Sequence, residues 1–179
     1  MLTSWCPTIE QINGITGIDH SSNSVMTAYL SGAMEYAPGQ GKKWRREITS
    51  LLKERLGHEV FNPNEEMNQI LSEEERLHLR DWKENDYEKF KTLMNRIIER
   101  DLNQLTEKSD YVICKWDEYA AKGGGTHGEI TVAYYNKIPV FLLSEMPKNR
   151  ISSWILGCSE KFFFDVESLL LELESRYKK

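Results

Sequence analysis

The chain has 179 residues, enough for one domain with a sizeable core, and its 40% hydrophobic and 28% charged residues are ordinary for a globular protein. Its net charge of −5 excludes a general binder of nucleic acid polymers, whose affinity rests on phosphate neutralisation. No apolar run reaches membrane-spanning length, which excludes a helical membrane protein.

Cys6, Cys114 and Cys158 share no close spacing, and His20, His58, His78 and His127 are scattered. Neither a disulfide framework nor a metal site is expected, and no cofactor. The first residues, MLTSWCPTIEQ, lack the basic start and apolar core of a signal peptide. The expectation is a reduced, cytoplasmic protein that acts on small molecules.

Residues 1–24 carry no periodicity and read as an irregular arm. From Val25 to Lys179 a β–α alternation runs, expected to form a single domain. VMTAYL (25–30) reads as a buried strand ending at Ser31-Gly32. Over 41–57, Trp44, Ile48, Leu51, Leu52 and Leu56 keep helical spacing, and Gly57 is the stop. HEVFNP (58–63) is a short second strand closed by proline. The charged stretch 64–89 reads as an insertion of one or two short helices. A longer helix spans 90–109, and DYVICK (110–115) is a strand. GGGTHG (123–128) reads as a flexible loop leading into a short helix around Glu129. IPVFLL (138–143) is apolar throughout, as a parallel strand covered on both faces should be. KFFF (161–164) is a fifth strand and 165–179 a closing helix.

Strands alternating with helices predict an α/β fold: a single-domain, open, mostly parallel five-stranded sheet with helices on both faces, flavodoxin- or Rossmann-like. Ligands of such sheets sit outside the carboxyl ends of the strands, where Ser31-Gly32 and the Gly123–Gly128 loop fall.

Two carboxylates stand where apolar residues belong. Asp101 falls within the stripe of Met94, Ile97, Ile98 and Leu105. It is either a cavity-facing group, a buried cap, or one neutralised by a nearby lysine or arginine. Glu129 shares a face with Val132 and Ala133, in what reads as the first helical turn. It is either a charge complementing the helix dipole or an ionised nucleophile in a cleft. Paired inward carboxylates are a constellation of glycosidic-bond chemistry. The glycine run is not a phosphate-binding P-loop, and GQGKK (39–43) also lacks that pattern. Gly123, Gly125 and Gly128 match a dinucleotide spacing by number, but not after the first strand. The run is either a flexible connection or a close approach of backbone to a sugar or phosphate. Tyr29 reads as strand packing and Asp117 as a solvated loop charge.

AYLSGAM (28–34), RDLNQLTEKSDYVI (100–113), GGTHGEITVAYYNKIPV (124–140) and ISSWILG (151–157) occur in this order. Together they resemble the nucleoside 2-deoxyribosyltransferase family, whose superfamily includes nucleoside 5′-monophosphate N-glycosidases. The resemblance runs from about Met26 to about Ser168. It implies that Glu129 attacks C1′ of a nucleoside, that Asp101 positions the sugar, and that Tyr29 orients nucleophile and sugar. It implies substrate contacts from Ser31, Gly32, Gly125 and Thr126 at the strand ends. Ser152 falls at the place of a residue lent by a neighbouring subunit, and with Ser153 it would meet the 5′ end of the sugar. A homo-oligomer with a small nucleoside or nucleotide substrate is therefore expected. In the transferases a further acidic residue assists the base; Asp117 is the nearest candidate here. The arginine that the glycosidases carry in the first loop is missing from SGAMEYAPGQ, so a 5′-hydroxyl and a 5′-phosphate both stay open. The readings from other classes are a non-catalytic nucleotide-binding module and a scaffold whose 64–89 segment binds a protein.

Overall fold

The computed structural model describes residues 25–178. The arm expected over 1–24 lies outside the described residues.

Strands β1 (Thr27–Gly32), β2 (Glu59–Phe61), β3 (Tyr111–Lys115), β4 (Val140–Leu143) and β5 (Lys161–Phe163) form one open sheet in the order β2-β1-β3-β4-β5. All four pairings are parallel. This is the flavodoxin-like strand order, with the switch point between β1 and β3, where the chain reverses its direction across the sheet. The helices are α1 (Lys42–Leu56), α2 (Pro63–Ile70), α3 (Glu73–Asn85), α4 (Tyr87–Lys108), α5 (Glu118–Lys122), α6 (Gly124–Tyr135), α7 (Ser153–Cys158) and α8 (Val166–Tyr177).

Strand alternation builds two cores from the same strands. Tyr29, Val112, Cys114, Val140 and Leu142 point to one face, against Leu105 of α4, Ile130 and Ala133 of α6 and Ile155 of α7. Ala28, Leu30, Tyr111, Ile113, Phe141 and Leu143 point to the other, against Ile48 and Leu52 of α1 and Leu169, Leu170 and Leu173 of α8. A third cluster of Leu71, Leu93 and Ile97 packs α2 and α3 on α4. Helix α3 starts in a capping box between Ser72 and Glu75. Lys83 of α3 reaches back to Glu35, 2.9 Å away in the loop after β1. Cys114 and Cys158 are free and buried. Among the described residues no helix is long and apolar enough to cross a membrane, and no group of three or more His, Cys, Asp or Glu could hold a metal ion.

Several local expectations are corrected. Ser31 and Gly32 are the last two residues of β1 and lie within the strand, because Gly32 still pairs with Lys115 of β3. The glycine run is not a loop: α6 begins at Gly124. Glu129 therefore sits in the second turn, where backbone N–H groups are already bonded within the helix, and not at the free helix start. Ile98 is 47% exposed; the buried line of α4 is Leu93, Ile97 and Leu105, one side of a narrower stripe. Asp117 is not a free loop charge. It caps the short helix α5, accepting from the N–H groups of Tyr119 and Ala120. Neither α5 nor α7 has enough residues to show a helical period.

Candidate active site

At the carboxyl end of β1, successive inward side chains of the strand meet α6. The Tyr29 hydroxyl donates to Glu129 Oε1 at 2.8 Å, and the Ser31 hydroxyl donates to Glu129 Oε2 at 2.5 Å. Both donors are wholly buried, while Glu129 is half-buried. Burial pushes the Tyr29 phenol well above its ordinary value, and the charges of Glu129 and Asp101 push it further. The phenol is therefore a neutral donor at every working pH. Its ring stacks on Phe61 of β2 at 5.3 Å between centroids.

Asp101 comes from α4 and shares this neighbourhood. Its carboxyl is pushed up to about 6, chiefly by burial, with the charge of Glu129 adding to it and Arg100 opposing it. Arg100 donates to it directly and lies over the Phe61 ring, 5.7 Å from the centroid. The alternative of a carboxylate neutralised by a nearby arginine thus holds for Asp101, alongside its place near Glu129. Nothing in the sequence singles out Arg100, although it adjoins Asp101.

Below the site lies Arg45 of α1, 1% exposed. Its guanidinium donates to the carbonyls of Leu30, Gly32, Ala33, Gln40 and Gly41. It also stacks on Trp44, 4.6 Å from the ring. Burial pulls its pKa down to about 10, opposed first by the charge of Glu129. Helical spacing is the signal that could have found this residue: Arg45, Ile48 and Leu52 stand at i, i+3 and i+7 and share the buried face of α1.

The remaining candidates divide. Gly32 is buried in the strand end, and Thr126 is buried one turn before Glu129. Gly125 is exposed, with open space where a side chain would stand. The Glu129 side chain, four residues on, is turned to β1, where Tyr29 and Ser31 hold it. His127 is turned elsewhere: its Nδ1 bonds to the carbonyl of Gly123 at 2.7 Å, and its ring packs edge-on against Trp116. Ser152 and Ser153 are exposed at the start of α7, and the Ser152 hydroxyl accepts from the Trp154 N–H. The structure brings neither into contact with Glu129 or Asp101. The Trp154 ring N–H donates to Thr131 of α6, which fixes α7 beside the Glu129 helix.

A carboxylate whose two oxygens are each held by a buried hydroxyl is fixed in orientation. Each oxygen still keeps a free lone pair. Such a group can act as an oriented nucleophile, with Asp101 and Arg100 beside it to meet hydroxyl groups.

No protein-family model and no curated protein matches the sequence. Among solved structures, the chain is similar to a 2-deoxyribosyltransferase from the psychrotolerant bacterium Bacillus psychrosaccharolyticus, with a TM-score of 0.58, 23% identity, and 80% of this chain and 89% of that chain covered. It is similar to a conserved protein from Enterococcus faecalis V583, with a TM-score of 0.56, 16% identity, and coverage of 86% and 99%. A CMP N-glycosidase from Clostridium botulinum aligns with a TM-score of 0.47, 17% identity, and coverage of 84% and 98%. The first two likenesses place the chain in a fold class: the α/β fold of the 2-deoxyribosyltransferase structure.

Proposed function

We propose that the protein cleaves or exchanges the N-glycosidic bond of a (deoxy)nucleoside or nucleotide through a covalent glycosyl-Glu129 intermediate. The observation that carries the reading is the Glu129 carboxylate, held at the sheet's switch point by Tyr29 and Ser31. A lone pair of Glu129 attacks C1′. The C1′–N bond breaks, its electron pair leaves with the base, and the base takes a proton from water. The resulting ester is then attacked at C1′ by water, or by an N–H nitrogen of a second base, whose proton goes to the hydroxide left by the first step, and Glu129 is restored as the carboxylate. Asp101, steadied by Arg100, holds the sugar hydroxyls. Tyr29 acts on the nucleophile rather than on the sugar, because it has no exposed surface.

Gly125 lines the approach to the sugar, and the buried Gly32 and Thr126 shape it from beneath. We assign Ser152 and Ser153 to the 5′ end of a sugar bound by a neighbouring copy, since both are exposed and stand apart from this chain's own carboxylates. That assignment makes the active form a homo-oligomer.

The test is a panel of deoxynucleosides and their 5′-monophosphates, with and without adenine or cytosine, followed by chromatography for free base and new nucleoside. Base release identifies a hydrolase, and a new nucleoside identifies a transferase. Binding of nucleotides by calorimetry with no base released from any donor would contradict the catalytic reading and leave a binding module.

A further inference from the structure

Ser31 and Arg45 stand back to back on the last turn of backbone in β1. Strand alternation sends Tyr29 and Ser31 toward α6 and Leu30 toward α1. Arg45 approaches from the α1 side. Its Nη2 donates to the Gly32 carbonyl at 2.7 Å and its Nε to the Leu30 carbonyl at 3.4 Å, the two carbonyls that flank Ser31. Its Nη1 gathers the carbonyls of Ala33, Gln40 and Gly41 at 3.3 to 3.4 Å. Among the described residues no carboxylate forms an ion pair with it, so the hydrogen bonds of this buried cation go to backbone carbonyls while its face stacks on Trp44. The nearby glycines leave room for it: a Cβ on Gly41 would stand 2.7 Å from Nη1. Ser31 itself is 0% exposed, and its hydroxyl is committed to Glu129 Oε2.

We propose that Ser31 is a positioning residue for Glu129, and that Arg45 mounts it by fixing the strand end from the opposite face. The inference rests on Glu129 being the reacting group. Tyr29 alone would leave the carboxylate free to swing about one hydrogen bond. The second bond, on the other oxygen, removes that freedom and keeps a lone pair aimed along one line. Loss of either part lowers the fraction of complexes in attack geometry, which lowers kcat and leaves binding nearly as it was.

The test combines two readouts on the full chain: Ser31→Ala, Arg45→Lys, Arg45→Met and the double variant Ser31→Ala/Arg45→Met. The first readout is the carbon-13 resonance of the Glu129 carboxyl, assigned by its disappearance in Glu129→Gln. The second is kcat and KM for the best donor of the panel. Ser31→Ala is expected to move the resonance and to lower kcat about tenfold to hundredfold, with KM within about threefold, as loss of one hydrogen bond to a charged group implies. Arg45→Lys should retain more kcat than Arg45→Met. The double variant should lose less than the product of the single losses, because both act through one contact. An unmoved resonance in a folded Ser31→Ala protein overturns the proposal. So does a raised KM with unchanged kcat, which would make Ser31 a substrate contact, and so does a double variant whose losses multiply. A resonance that moves in a protein without turnover on any donor would instead remove the glycosidic reading while the mount of Glu129 stands.

Discussion

Arg100 donates to Asp101 through Nε at 2.8 Å and through Nη2 at 2.5 Å, and both bonds end on one oxygen, Oδ1. Among the described residues no hydrogen bond reaches Oδ2. The pair is adjacent in sequence and turns together off one helix, so Arg100 neutralises half of the carboxylate and leaves the other half able to accept hydroxyls. Burial outweighs this pairing, because the Asp101 carboxyl still sits high, at about 6.

That value sets a pH dependence of stability. A carboxyl whose folded pKa is raised from 3.8 to about 6 binds its proton more tightly in the folded state. As pH rises through that window the unfolded chain releases the proton first, so the group's contribution to stability falls. It is flat above and below. Asp101→Asn removes the titration. The stability of Asp101→Asn relative to wild type should therefore climb between about pH 4 and 6, on the order of 3 kcal/mol in total, then level off. Denaturant midpoints of both proteins across pH 3.5 to 7.5 measure this, and a difference that falls as pH rises contradicts the assignment.

Tyr29→Phe keeps the stack on Phe61 and removes the donor to Glu129 Oε1. It should lower kcat about tenfold to hundredfold, the worth of one hydrogen bond to a charged acceptor. Steady-state kinetics with the preferred donor check this; a variant with unchanged kcat would show that the phenol does not serve the nucleophile.

The loop after β1 depends on Arg45. Arg45→Met removes the guanidinium from five carbonyls, of which that of Gln40 keeps the Asn64 side-chain amide as a donor, and should cost about 3 kcal/mol, a fall in melting temperature of roughly 6–12 °C for a chain of this size. Gly41→Ala should act in the same direction. Gly41 has φ of +66°, and an added Cβ would stand 2.6 Å from the Ala33 carbonyl oxygen, which is backbone and cannot swing away. Thermal melts of both variants are the measurement.

Gly125→Ala separates fold from function. The position is helical and open, so alanine should raise stability by about 0.5–1 kcal/mol. Gly125→Leu fills the open space one turn before Glu129, and should raise KM several-fold with little change in melting temperature. Unchanged KM in the leucine variant would place the substrate elsewhere.

Much of the fold was legible because strand and helix periods were long enough to read. The all-apolar IPVFLL stretch marked a strand buried on both faces, and the alternation of elements marked a parallel sheet. The glycine run misled for a physical reason. Glycines have poor helix propensity, yet Thr126, Ile130 and Ala133 bury against the sheet and hold α6 from Gly124 onward. Asp101 was legible because a carboxylate interrupted the Ile97–Leu105 line. Ser31, Arg45 and Arg100 as supports were not legible. Ser31 became visible as a support only through its register in β1, and Arg100 only through a turn of α4 that sets it across Phe61; Arg45 shares the helical face of Ile48 and Leu52, but the carbonyls it binds are displayed by no sequence.

Everything proposed for this site turns on Glu129 bonding to the sugar. Its most direct test is turnover of the preferred donor by Glu129→Gln, measured by chromatography beside wild type at equal concentration, with a melt to show that the variant is folded. Base release and base exchange should fall to background, because an amide oxygen is too weak a nucleophile to form the ester. A folded Glu129→Gln protein that keeps its turnover would contradict it.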